Sequence, residues 1–161
     1  MVLCMSNQKY VFDTNIFINL KNQFPFDIYI DLLERIELLM DDGIIISSDE
    51  VIDEIKRGND ELEAWANARK NSFYPSDEPI QIIVREILGR FSRLVTRPKK
   101  ANAADPFIIA LAKQMACTVV TEEKGGTDLN PDIPYICKFY NIKCINLFGF
   151  FRENNIRLSL L

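Results

Sequence analysis

Apolar residues in this chain fall into a few short continuous runs, separated by longer stretches in which they recur every three or four positions. Tyr10-Val11-Phe12 stops at Asp13, and Ile44-Ile45-Ile46 and Thr118-Val119-Val120-Thr121 are runs of the same kind. They are too short for helices and rich in β-branched or aromatic residues, so they read as buried strands. Lys143-Cys144-Ile145 is a fourth strand candidate.

The intervening stretches predict helices. Ile16-Phe17-Ile18-Asn19-Leu20 reads as a short helical turn, and residues 26–41 place Phe26, Ile28, Leu32, Leu33, Ile36, Leu39 and Met40 at largely helical spacing, with Gly43 as a stop. Ser47 and Ser48 precede a helix carrying Val51, Ile52 and Ile55, with Asp49 and Glu50 in its first turn, where acids suit the helix dipole. A polar helix over residues 60–70 holds Trp65. An amphipathic one over 80–95 carries Ile82, Ile83, Ile87, Leu88, Phe91 and Leu94. Residues 103–116 form the strongest helical pattern, and a short helix near 134–139 follows a loop with Gly125-Gly126. A helical tail and a last edge strand close the chain. Strands alternating with helices predict an α/β fold, a central parallel sheet of four or five strands with helices on both faces. The length, 161 residues, and the lack of a linker or repeat point to a single domain over 1–161.

Composition narrows the chemistry. The chain has no histidine, which removes Ser-His-Asp and Cys-His nucleophiles and histidine-based RNA cleavage. It also disfavours zinc. Cys4, Cys117, Cys137 and Cys144 form no C-x-x-C pair and read as buried thiols. Net charge is −4, with 23 acids against 19 bases, so nucleic-acid contact would need a local basic patch. No secretory leader or membrane-length apolar segment is evident, and a cytoplasmic protein is expected.

Carboxylates remain. In an open parallel sheet the crevice lies outside the carboxyl ends of the strands. Asp13 closes the first strand, and Glu122 and Glu123 follow the third. Asp105 begins the strongest helix and Glu54 lies on the helix after the second strand. Acids gathered at one rim suit a hard divalent cation, which activates water without histidine. Each acid also has a plain structural reading. Asp13 and Asp105-Pro106 fit helix caps, Glu54 sits on an acidic helix beside Asp49, Glu50 and Asp53, and Glu122, Glu123 and Asp128 fit a surface loop. Glu50 competes with Glu54, one turn away. An aspartyl-phosphate enzyme of the haloacid-dehalogenase type would want an acid at position 15, where this chain has Asn15.

The ordered set resembles the PIN-domain family, particularly VapC-like toxin ribonucleases. The opening Tyr10-Val11-Phe12-Asp13-Thr14-Asn15-Ile16-Phe17-Ile18 is similar to the family's first strand with its catalytic Asp and supporting Thr/Asn, and the segment Ile46 to Ile55 to the one delivering the second acid, in register with Glu54. Ala104-Asp105-Pro106-Phe107-Ile108-Ile109-Ala110-Leu111-Ala112 resembles the third-acid motif, and Val119-Val120-Thr121-Glu122-Glu123-Lys124 the fourth, with Glu123 where the family has Asp. The resemblance implies a PIN-like three-layer α/β/α domain and a metal-dependent endoribonuclease. Asp13, Glu54 and Asp105 would ligate Mg²⁺ or Mn²⁺, Glu123 would assist, and Asn15 and Thr121 would orient carboxylates or water. It further implies an antitoxin partner and a homodimer; a degenerate scaffold that binds RNA or a protein without cutting is the alternative. Arg85, Arg90, Arg93, Arg97, Lys99 and Lys100 make a basic cluster leading into Asp105, with Arg97, Lys99 and Lys100 the preferred RNA contacts.

Overall fold

The computed structural model describes residues 8–58, 60–95 and 103–159. Five parallel strands, β1 (Tyr10–Phe12), β2 (Ile45–Ser48), β3 (Phe73–Tyr74), β4 (Thr118–Val120) and β5 (Cys144–Ile145), lie in the order β3-β2-β1-β4-β5. Tyr10 is in register with Ile45 on one side and Thr118 on the other, and Phe12 with Val120. Every residue of β1, β2 and β4 is buried. A central parallel sheet is covered on both faces, so its strands read as continuous apolar runs.

Helices α1 (Thr14–Gln23) and α2 (Ile30–Asp41) connect β1 to β2, and α3 (Asp49–Lys56) and α4 (Asp60–Ala68) connect β2 to β3. Helices α5 (Glu78–Arg90) and α6 (Asp105–Met115) lead to β4, α7 (Ile133–Phe139) to β5, and α8 (Leu147–Glu153) follows. Right-handed crossovers running in opposite directions along the sheet put α1 to α4 on one face and α5 to α7 on the other. Phe12 packs against Phe17 of α1 and Phe150 of α8, with ring centroids 5.6 and 4.9 Å apart, while α6 packs on β1, β2 and β4 between α5 and α7. The fold is a three-layer α/β/α sandwich.

Several element ends differ from the expected ones, each for a local reason. Helix α1 has ten residues rather than one turn, because Asp13 caps it. Helix α2 starts at Ile30, since the carbonyl of Pro25 accepts from the amides of Ile28 and Tyr29 in a turn of its own. Asp77 accepts from Ile80 N and starts α5 at Glu78; the helix stops at Arg90, and a separate 3₁₀ turn, Ser92–Leu94, carries Leu94 into the core. Strand β3, which the apolar pattern does not mark, is a two-residue edge paired with Ser47 and Ser48. Among the described residues no strand follows α8, contrary to the expected last edge strand.

Strand order reverses between β1 and β4, because the chain moves from β1 towards β2 while β4 lies on the opposite side. The crevice outside the carboxyl ends of these two strands is where an open α/β sheet places its ligand. Among the described residues no helix is long and apolar enough to cross a membrane.

Candidate functional site

Asp13 leaves β1 into that crevice and is 3 % exposed. Its Oδ1 accepts from Thr14 N at 2.7 Å, which makes it the N-cap of α1, so its capping role and its place at the strand end coexist. Its Oδ2 accepts from Thr121 Oγ1 at 2.8 Å, across from the end of β4. The Thr121 hydroxyl in turn accepts from Asn15 Nδ2 at 3.4 Å and Glu123 N at 3.2 Å. One donor and two acceptor positions are all a hydroxyl has, so Thr121 is saturated and held. Asn15 Oδ1 accepts from Glu122 N at 3.3 Å, tying α1 to the chain after β4 a second time.

Glu54 is brought to the same place from α3. Its Oε2 accepts from Thr14 Oγ1, and its Oε1 from Ala104 N at 3.0 Å, the amide immediately before Asp105. The carboxylate of Glu54 thus ties the start of α1 to the start of α6. Glu50 makes no such link: its backbone N donates to the Ser48 cap, and burial, followed by the charges of Asp49, Asp53 and Glu54, raises its pKa. Asp105 is 4 % exposed and is the first residue of α6; the N-cap position belongs to Ala104, with no side-chain cap bond, so the capping explanation of Asp105 does not hold. The hydroxyl of Thr14, the threonine of the Asp13-Thr14-Asn15 motif, serves Glu54 rather than Asp13.

The acids after β4 separate. Glu123 Oε2 accepts from Ile133 N at 2.9 Å, at the start of α7, yet its charge is felt at Asp13. Glu122 turns away, accepting from Leu147 N at the start of α8. Asp128 lies on the surface, bonded to the Tyr135 hydroxyl at 2.6 Å. Asp132 is a buried acid the sequence reading missed: it caps α7 through Tyr135 N and accepts from Gly125 N, both at 3.0 Å. The signal was an acid two residues ahead of Pro134, which sits in the first turn. Gly126 is needed in the tight loop that carries Glu123, because a Cβ there would lie 2.4 Å from Asn130 O and 2.7 Å from Asp132 N.

These placements set the electrostatics. Burial pushes the Asp13 carboxyl up to about 7; the Thr121 bond opposes this, the Glu123 charge adds to it, the Thr14 amide opposes it and Glu54 adds to it. A buried carboxyl flanked by two like charges takes up a proton or is compensated by a cation. The donors are all carboxylate oxygens, the chemistry that Mg²⁺ and Mn²⁺ prefer. As the side chains stand, no three acidic or thiol groups among the described residues are gathered tightly enough to enclose an ion. The donor chemistry and charge therefore fit a hard divalent ion, without a closed cage.

The basic cluster is described only in part, since Arg97, Lys99 and Lys100 lie outside the described residues. Arg90 stacks over Phe139 at 5.3 Å and Arg93 donates to Leu129 O at 3.4 Å. Lys113 pairs with Glu86 at 3.5 Å and lies 5.0 Å over the Tyr140 ring. Cys4 also lies outside the described residues; Cys117 and Cys137 are buried free thiols and Cys144 is partly buried.

The fold is that of PIN-domain proteins, and three solved structures share it. FitAcB from Neisseria gonorrhoeae matches with a TM-score of 0.51 at 22% identity, over 85% of this chain and 96% of that one. VapBC2 from Rickettsia felis, bound to a DNA fragment from its promoter, matches with a TM-score of 0.55 at 18% identity, over 86% and 98%. FitAB bound to an IR36 DNA fragment matches with a TM-score of 0.52 at 19% identity, over 94% and 98%. At such identities the likeness is one of fold. Over residues 10–158 the sequence matches a family described as a domain of unknown function, DUF4411, and the chain belongs to that family. No curated protein matches it.

Proposed function

We propose that this protein is a metal-dependent endoribonuclease working in the cytoplasm, residues 1–161 acting as one PIN-like domain. The observation that carries the reading is the Asp13 carboxyl, buried at the switch point of the sheet and within electrostatic reach of Glu54 and Glu123. Asp13, Glu54 and Asp105 would hold Mg²⁺ or Mn²⁺, with Glu123 assisting. When bound, such an ion lowers the pKa of water and offsets charge building on a phosphate. Thr121 and Thr14 hold Asp13 and Glu54 in place by donating to them, and Asn15 fixes Thr121. Arg97, Lys99 and Lys100 would neutralise RNA phosphates on the approach to an acidic crevice.

The fold neighbours come from toxin–antitoxin systems, which supports the toxin role for this chain, with an antitoxin protein as partner and a homodimer as its assembly. A scaffold that binds RNA or a partner without cutting is the second reading. It is favoured by the bond from Ile133 N, which occupies one oxygen of Glu123.

Cleavage of single-stranded, structured and transfer RNAs with Mg²⁺ or Mn²⁺, for wild type, Asp13→Asn and Asp105→Asn, tests the proposal. Metal-dependent cutting that drops at least ~100-fold in both variants is the expected result. A wild-type protein that binds RNA or a partner and cuts nothing with either metal would favour the scaffold.

A further inference from the structure

Phe139, the last residue of α7, is 54% exposed although its ring is held from three directions. Arg90 lies over the ring at 5.3 Å, and Phe91 and Tyr140 meet it edge-on at 5.3 and 5.1 Å. Phe91 is buried and also meets Tyr135 and Tyr140, so Phe139 stands on a packed aromatic base. Nearby, the exposed Arg93 donates to the carbonyl of Leu129, in the loop that leads from Glu123 to α7. The acids of this surface are engaged, Glu86 with Lys113 and Asp128 with the Tyr135 hydroxyl. Among the described residues neither Arg90 nor Arg93 has a carboxylate within ion-pair distance. The charge is concentrated here by sequence as well: between Glu86 and Asp105 there is no acid, but Arg90, Arg93, Arg97, Lys99 and Lys100, in a chain of net charge −4.

We propose that Phe139 is a stacking platform for an unpaired base of single-stranded RNA, with Arg90 and Arg93 holding the adjoining phosphates; the inference rests on the ribonuclease reading. Surfaces that take single strands combine exposed aromatic rings, on which any base stacks, with cations that follow the backbone. A guanidinium plane is itself a stacking partner for a base, so Arg90 over Phe139 enlarges the platform rather than closing it. An acidic protein segment is the competing occupant. It would satisfy the arginines and leave the exposed ring without a use, whereas a nucleotide engages both. The platform also lies on the way to the acidic centre. Ile133, whose amide holds Glu123, and Phe139 are the two ends of α7, about 9 Å apart at 1.5 Å per residue. At ~3.4 Å per stacked nucleotide, a strand of a few nucleotides covers that span.

The test is fluorescence anisotropy with a labelled single-stranded RNA of about ten nucleotides. Chelator is present, so the binding is read without metal-dependent cutting. The double variant Arg90→Gln/Arg93→Gln should bind about tenfold or more weakly. Its plot of log affinity against log salt should be shallower by about 1.4, at ~0.7 per cation removed from a single strand. Phe139→Leu keeps an apolar side chain and removes the π-face, and should weaken binding about fivefold or more; Phe139→Trp should match or exceed the wild type. Thermal melting checks that each variant folds, and the arginine variant, changed only at exposed positions, decides the matter should Phe139→Leu be unstable. Folded variants that bind RNA like the wild type would overturn the platform, as would a wild type that binds no RNA. Loss confined to the arginine variant, with poly-glutamate bound as tightly as RNA, would assign the surface to an acidic protein segment and overturn it too. If the expected losses occur in a protein that cuts no RNA when metal is added, the platform stands while the hydrolytic reading falls. Cutting by a protein whose folded variants bind RNA like the wild type would do the reverse.

Discussion

Thr121 Oγ1 donates to Asp13 Oδ2 at 2.8 Å, joining the ends of two strands that are 108 residues apart in sequence. This bond is the side-chain counterpart of the backbone link from Asp13 N to Val120 O at 3.0 Å, and together they hold the crevice floor. Thr121→Val keeps the shape of the side chain and removes the hydroxyl. It leaves a buried carboxylate oxygen short of a donor and two donors, Asn15 Nδ2 and Glu123 N, without their acceptor. The expected result is a loss of about 1–3 kcal/mol in stability by denaturant titration. RNA cleavage should fall by roughly 10–100-fold, as is typical when a group supporting a metal ligand is removed.

Protonation of Asp13 links stability to pH. Its folded-state pKa, about 7, lies above the ordinary 3.8. The folded state therefore holds a proton that the unfolded chain releases, and this contribution is full below about pH 4 and lost as pH rises through about 7. In chelator, the wild-type melting temperature should fall over this window relative to Asp13→Asn, reporting a stability loss on the order of a few kcal/mol. Parallel pH profiles for the two proteins would show that Asp13 does not titrate this way. Added Mg²⁺ or Mn²⁺ should restore the wild type at pH 8 and leave the variant unmoved, since an ion that binds only the folded state stabilises it.

Thr14→Val distinguishes the second acid. Thr14 reaches Glu54 and not Glu50, so loss of its hydroxyl should lower cleavage about tenfold or more, while Glu50→Gln should leave the rate within about twofold. The reverse ranking in a kinetic comparison would make Glu50 the participating acid.

Two glycines should respond oppositely to alanine. Gly126→Ala forces a methyl against the Asn130 carbonyl and the Asp132 amide, and should cost about 1–3 kcal/mol, visible as a lowered melting temperature. Gly89→Ala, inside α5 where a Cβ meets nothing within 4 Å, should stabilise by about 0.5–1 kcal/mol through helix propensity. Equal effects would mean that the loop carrying Glu123 can relax around the added methyl.

The aromatic stack under the sheet should dominate core energetics. Phe150 lies edge-on to both Tyr10 and Phe12, each at 4.9 Å, and is fully buried. Phe150→Ala should cost about 3–5 kcal/mol by calorimetry or denaturant titration. A loss below about 1 kcal/mol would mean that α8 packs independently of β1.

The sequence alone determined the central strands, the Ser48 cap of α3 and the candidacy of Asp13, Glu54, Asp105 and Glu123. These features are local: burial on both faces makes a strand a continuous apolar run, a cap needs one oxygen at one position, and a strand-end acid is identified by what precedes it. Tertiary structure alone decided which of Glu50 and Glu54 reaches Thr14 and Ala104, that Asp105 is not a cap, and that Glu122 and Glu123 turn to different helices. The two-residue β3 was hidden for the same reason, because Phe73 and Tyr74 become strand only by pairing with Ser47 and Ser48. A single helical turn changes which neighbour a side chain meets, and that neighbour is supplied by packing between segments as much as 108 residues apart, as Asp13 and Thr121 are; periodicity records which face is buried, and only the assembled layers determine what it is buried against.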